Sequence, residues 1–191
     1  MTLAATARPE GGQPYLSFVV PLHDEAGNVG PLWSELRAVA AGLGVPWEAV
    51  LVDDGSADGT REELRALSGG AELRVLHLAR RYGQSAALQA GFDAARGEIV
   101  VSLDGDLQND PADVPRLLAE LGRGFDVVCG WRRRRRDAWL GRRLPSALAN
   151  RLIGALTGVR LHDHGCTLRA YRRGALRRLR LYGDMHRFVA S

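Results

Sequence analysis

Twice in this chain a short apolar run stops at a cluster of aspartates. The first is V-L-V-D-D-G-S from Val50 to Ser56 and the second is I-V-V-S-L-D-G-D from Ile99 to Asp106. Short β-branched runs bounded by glycine and aspartate fit strands buried on both faces. Carboxylates at their C-terminal ends stand where open α/β sheets bind ligands. A chain that repeats this layout, with helical patterns in between, is constrained to an α/β fold of the Rossmann-like kind: a mostly parallel sheet with helices on both faces.

The remaining elements follow in the same rhythm. Tyr15 to Val20 reads as the first strand, ended by Pro21, and His23 to Asn28 as a polar loop. Asn28 is placed to cap a helix carrying Val29, Leu32, Trp33, Leu36 and Val39, with Gly44 placed to stop it. The second strand is expected over Glu48 to Val52, with Ser56 or Asp58 capping the next helix. A third strand over Leu73 to Leu78 precedes an alanine-rich helix in which Leu88, Gly91, Phe92 and Ala95 suggest close packing. After the strand over residues 98 to 104, Asp110 and Pro111 read as N-cap and first helical position, ahead of an apolar face of Val114, Leu117, Leu118 and Leu121. Asp126 to Gly130 is the fifth expected strand. Residues 1 to 14 are polar and rich in glycine and proline, which predicts a disordered leader. The rest is long and apolar enough, at 46% of 191 residues, for one domain with its own core.

Asp104 and Asp106 lie two apart, so on one strand they point the same way. Joined by a glycine that lets a ligand approach the backbone, they suit a hard divalent cation carrying phosphates, with the amide oxygen of Gln108 as a further ligand. The competing reading is a solvated turn, because Asp-Gly is ordinary turn chemistry. Asp53 likewise has two readings, a ligand contact or a helix cap, and Asp54 reads as structural. Neither G-x-G-x-x-G after the first strand nor G-x-x-x-x-G-K-[ST] occurs, so phosphates need another holder, and a metal on the aspartate pair provides one.

Charge separates the chain into halves. All 26 basic residues are arginine; residues 1 to 130 hold ten of them against 19 acids, and residues 131 to 191 hold 16 against three. The basic part should meet an anion: nucleic acid, a lipid headgroup or a phosphorylated substrate. No apolar stretch reaches the roughly 18 residues of a membrane span, and no basic region followed by a long apolar one opens the sequence. Cys129 and Cys166 form no C-x-x-C and are expected to be reduced.

Several stretches together resemble a known family. P-L-H-D-E from Pro21, V-D-D-G-S from Val52, R-Y-G-Q-S-A-A-L-Q-A-G-F from Arg81 and D-G-D-L-Q-N-D-P from Asp104 are similar to the family 2 glycosyltransferases. The polyprenyl-phosphate branch, which includes the dolichyl-phosphate mannose synthases, is matched further by G-W-R-R-R-R-R-D from Gly130, D-H-G-C-T-L-R-A-Y-R-R from Asp163 and Y-G-D-M-H-R-F from Tyr182.

The resemblance implies a GT-A fold and an inverting, metal-dependent transfer of a hexose from a nucleotide sugar, of the GDP-mannose or UDP-glucose type, to a polyprenyl phosphate. It places Pro21, Glu25 and Asp53 at the base and nucleoside, and Asp104, Asp106 and Gln108 at Mg²⁺ or Mn²⁺ and the diphosphate. Arg132, Arg135 and Arg143 fall at the acceptor phosphate, and Asp163 and Arg169 near the donor sugar. On this reading Asp104, Asp106, Arg132 and Arg135 carry the reaction. The domain would span residues 15 to 191, lack C-terminal elements present in many relatives, and work as a peripheral cytoplasmic protein on the inner face of a membrane, with no nucleic acid partner.

No Ser, His and Asp set or glutamate pair stands out as a nucleophile and its base. A hydroxyl acceptor would need a general base. A phosphate monoester, with a second pKa of about 6, is already ionised and acts as its own nucleophile. Two alternatives remain: a family 2 enzyme with a polysaccharide or protein acceptor, and a nucleic-acid-binding module built on the basic half, against which stands the scarcity of aromatics interleaved with the arginines.

Overall fold

The computed structural model describes residues 12–67, 69–131, 166–176 and 181. Five strands follow the expected order: β1 (Leu16–Leu22), β2 (Trp47–Asp53), β3 (Leu73–His77), β4 (Ile99–Ser102) and β5 (Val127–Cys129). Between them run α1 (Val29–Leu43), α2 (Thr60–Ala66), α3 (Gln84–Ala94) and α4 (Val114–Leu121). A sixth strand, β6 (Arg169–Arg172), follows the segment 132–165, which lies outside the described residues.

All six strands form one sheet in the order β3-β2-β1-β4-β6-β5. The first four run parallel, with Val19 registered against both Val50 and Ser102. β6 runs antiparallel to β4 on one side and to β5 on the other. β5 therefore points the same way as β4, and its C-terminal end emerges at the sheet edge where β1, β2 and β4 also end.

Side chains that alternate along the strands build a core on each face. Phe18, Val20, Leu51 and Val101 pack under α1, α2 and α4. Val19, Val50, Val52 and Val100 pack under α3. α3 comes especially close: a Cβ on Gly91 would stand 2.3 Å from Val19 Cγ1, so the helix axis sits at a distance only glycine permits.

Pro21 lies inside β1 rather than ending it. Gly44 stops α1 in the left-handed conformation (φ 64°), its N–H donating to Ala40 O. Asp110 caps the short 3-10 turn Pro111–Asp113 that leads into α4, accepting from Ala112 N at 2.8 Å. Asn28 precedes α1 without a side-chain cap bond, because its amide donates instead to Glu25 Oε2 at 2.7 Å. Ser56 does not cap α2 either; Asp58 Oδ1 accepts from Thr60 N at 2.9 Å.

At the opposite sheet edge Glu48, 1% exposed, accepts from Ser17 Oγ and Arg96 N (2.7 Å each) and pairs with the Arg96 guanidinium. Burial pushes its carboxyl up, and the bonds from Arg96 and Ser17 outweigh that and hold it below the ordinary range. This network ties the starts of β1, β2 and β4 together, away from the groove described next. Among the described residues, no helix is long and apolar enough to cross a membrane.

Candidate active site

A groove of about 260 Å³ opens at the C-terminal edge of the sheet. The end of β1 and the loop after it contribute Pro21, His23 and Glu25 to its wall, and the loop after β2 contributes Asp54. The approach to α3 supplies Arg81 and Gln84, and the end of β4 supplies Asp104, Gly105 and Asp106. Two strand ends that the sequence singles out for their aspartates thus converge on one cavity.

The loop after β1 is laced to the loop after β2 and to the first turn of α2. Asp24 N donates to Ser56 Oγ (3.1 Å), Ala57 N to Asp24 Oδ1 (2.8 Å), Glu25 N to Thr60 Oγ1 (2.7 Å) and Gly27 N to Glu63 Oε1 (2.7 Å). Asp24 takes a positive φ of 54°, a conformation aspartate tolerates better than most residues. This lacing holds Glu25 against the groove.

The adjacent aspartates at the end of β2 do different things. Asp53 is fully buried and does not line the groove. Its carboxylate accepts from Ser56 N (2.9 Å) and Arg61 Nε (2.9 Å), and its Oδ2 lies 3.0 Å from His77 Nδ1. Burial alone would raise its pKa; the bonds from His77, Ser56 and Arg61 outweigh it and hold the group at about 2. Asp54, read from the sequence as structural, is the residue that reaches the groove. Its two oxygens accept from Tyr82 N (2.7 Å) and Gly83 N (2.8 Å), fixing the turn that starts α3.

Asp104 is half-buried, with Oδ1 accepting from Gln84 Nε2 (2.7 Å) and Oδ2 from Thr167 Oγ1 (2.6 Å). Asp106 Oδ1 accepts from Gln108 N (3.1 Å), a local turn made possible by Leu107 at φ 59°. The Gln108 side chain is exposed and not part of the groove wall. Gly105 has a reason beyond ligand access: a Cβ there would stand 2.2 Å from Leu22 Cδ2, on a leucine that is 1% exposed.

Arg169 is 2% exposed and sits beneath Asp104, beside Ser102, Thr167 and Tyr171, with its Nε donating to Cys166 O (2.8 Å). Arg132, Arg135, Arg143 and Asp163 lie outside the described residues. Gln84, Thr167 and Arg81 were not singled out as site residues by the sequence, although each falls in a stretch that carries the family resemblance.

The donor set fits a hard divalent cation. Asp104 and Asp106 are two of the four carboxylate residues that line the groove, and among the described residues no three His, Cys, Asp or Glu side chains are grouped to hold a metal by themselves. Such a pair leaves positions for substrate phosphates, as Mg²⁺-type sites do.

The mixed sheet, with its groove where β1, β2 and β4 end, is the GT-A fold of nucleotide-sugar glycosyltransferases. The chain belongs to the glycosyl transferase family 2, whose model matches residues 17–180. It is 47% identical over 179 residues to a dodecaprenyl-phosphate galacturonate synthase of Rhizobium johnstonii, covering 92% of this chain and 53% of that protein. It is 43% identical over 160 residues to an undecaprenyl-phosphate 4-deoxy-4-formamido-L-arabinose transferase of Aeromonas hydrophila, covering 83% and 49%. The chain thus spans about half the length of these curated relatives. Among solved structures it is similar to glucosyl-3-phosphoglycerate synthase of Mycobacterium tuberculosis in complex with Mn²⁺, UDP and phosphoglyceric acid, with a TM-score of 0.64 and 25% identity over 85% of this chain and 57% of that one.

Proposed function

We propose that the chain is the catalytic domain of an inverting glycosyltransferase that moves a sugar from a nucleotide donor to a polyprenyl phosphate at a membrane surface. The observation that carries the reading is the groove itself, where Asp104 and Asp106, just after β4, line one cavity with Pro21, Glu25 and Asp54 from the ends of β1 and β2 and the loops that follow them. Asp104 and Asp106 would hold Mg²⁺ or Mn²⁺, with Gln108 as a further ligand. Bound there, the metal neutralises charge on the departing diphosphate. The nucleoside end of the donor would lie against Pro21 and Glu25, with Asp54 rather than Asp53 on that side. Arg81, an exposed arginine on the groove wall, adds positive charge for the diphosphate.

Two lines support the lipid acceptor. The relatives named above act, by their names, on dodecaprenyl and undecaprenyl phosphates. Trp131 and Cys166, the described residues that flank segment 132–165, both stand at the groove edge of the sheet, since β5 ends there and β6 begins there. The described residues on either side of Arg132, Arg135 and Arg143 in the sequence thus stand on the side where the donor would lie, which supports this reading. An ionised acceptor phosphate needs alignment and charge shielding rather than a base, which arginines supply. The relatives' names carry different sugars, so the proposal extends to a nucleotide sugar and not to a particular hexose.

The test is transfer from a panel of radiolabelled nucleotide sugars to polyprenyl phosphate with Mn²⁺ or Mg²⁺, followed by phase partition. Label in the organic phase is the expected result. Label only in an aqueous polymer would move the acceptor to a polysaccharide. No transfer combined with salt-sensitive RNA binding would favour the nucleic-acid reading instead.

A further inference from the structure

We propose that Thr167 is a positioning residue that holds the Asp104 carboxylate in its cation-binding orientation. The inference rests on the metal-and-donor reading above and adds to it the residue that prepares the site.

Thr167 lies one residue after Cys166, on the approach to β6, and reaches a carboxylate 63 residues earlier in the chain. Its Oγ1 accepts from Asn109 Nδ2 at 2.9 Å and stands 2.6 Å from Asp104 Oδ2. A hydroxyl has a single proton. With the Asn109 amide directed at the oxygen, that proton is left for Asp104. The relay is held at both ends: Asn109 is 6% exposed, and the carbonyl of Thr167 accepts from Ser102 Oγ at 2.9 Å.

The other oxygen of Asp104 accepts from Gln84 Nε2. Two neutral donors, one from the start of α3 and one from the approach to β6, thus hold the plane of the carboxylate. Asp106, in contrast, takes its hydrogen bond from Gln108 within its own loop. The pair is asymmetric: Asp104 is set by the fold, and Asp106 by a local turn. Replacing a partner that orients a ligating carboxylate typically costs about 10- to 100-fold in metal affinity or activity.

The experiment is a titration of the full chain with Mn²⁺ alone, followed by electron paramagnetic resonance. Thr167→Val keeps the volume and removes the proton donor; it should weaken Mn²⁺ binding roughly tenfold or more, and Thr167→Ser should restore it. Thermal melts without metal establish that the variants are folded at the titration temperature. If Thr167→Val does not fold, Thr167→Ala, which also relieves packing, carries the same expectation.

Wild-type Mn²⁺ affinity in a folded Val or Ala variant would overturn the role of Thr167 while leaving the metal reading intact. Loss of affinity that serine does not restore would also overturn it, since the defect would then not follow the hydroxyl. If the wild-type chain binds no Mn²⁺, or if Asp106→Asn binds it as well as wild type, the metal reading falls and this inference falls with it.

Discussion

A side-chain carbon on Gly55 would stand 2.4 Å from the carbonyl carbon of Arg80. Gly55 has φ 66°, and the atoms facing it belong to the backbone of Arg80 and Arg81 rather than to a movable side chain. The turn after β2 and the loop before α3 are therefore packed main chain to main chain, which brings Tyr82 N and Gly83 N onto Asp54. Gly55→Ala should destabilise the fold by roughly 2 to 3 kcal/mol, combining backbone strain with displacement of the 80–83 loop. Urea denaturation measures it, and an unchanged midpoint would contradict this packing.

Asp106→Asn should leave unliganded stability nearly unchanged, since the side chain is held by one local hydrogen bond. It should weaken nucleotide-sugar affinity in Mn²⁺ by at least about tenfold, or ~1.4 kcal/mol. Calorimetry on the variant, and on wild type in excess EDTA, checks both parts. Unchanged donor affinity in either case would rule out the metal role.

Asp53 should govern acid stability rather than donor binding. Its pKa is about 2 in the fold against an ordinary 3.8, so the native state favours the ionised form. That stabilisation is present above about pH 4 and is lost as pH falls through 2; the difference amounts to about 2 kcal/mol. In melts across this window, wild type should lose stability more steeply than Asp53→Asn. Parallel curves, or an Asn variant of native stability with a selective donor defect, would return Asp53 to the nucleotide site.

Arg132→Ala tests the acceptor side. Loss of a charge-assisted bond to the lipid phosphate, roughly 1.5 to 3 kcal/mol, should raise the apparent acceptor KM or lower turnover while donor affinity stays constant. Basic residues near an anionic leaflet contribute on the order of 1 kcal/mol each, so flotation with anionic liposomes should fall as salt rises. Binding indifferent to salt, or a defect confined to the donor, would remove this placement of the acceptor.

In the parallel part of the sheet, β2 and β4 were the most legible strands because they announce themselves twice, by β-branched runs and by the aspartates that follow them. β6 was not legible. Its sequence, R-A-Y-R, places arginine at both ends of a four-residue strand, and the alternation that sends Ala170 to one core and Tyr171 to the other is too short to stand out. The buried Arg169 further disguises it as surface.

At the site, the sequence found the two strand ends; of the pair after β2 it singled out Asp53 for the nucleotide, whereas the residue that lines the groove is Asp54. Neighbouring residues on a strand point to opposite sides, which tells Asp53 and Asp54 apart without saying which side holds the ligand. Thr167 and Gln84 gave no signal of spacing at all. They reach Asp104 across 63 and 20 residues, through the β4 and β6 pairing and through the docking of α3, and both are products of tertiary structure.

The position of β6 also orders assembly in time. β5 is hydrogen-bonded to the sheet through β6, so when Val127–Cys129 emerges from the ribosome its neighbour has not yet been made. The four parallel strands and their helices can close from the first 121 residues or so, whereas β5 must wait until Arg172 is synthesised and the ends of the intervening segment of about forty residues are brought together. Vectorial synthesis would thus leave the donor half of the groove formed first. Thr167 would reach Asp104 only in the last docking step, making completion of the carboxylate's setting a late event in folding.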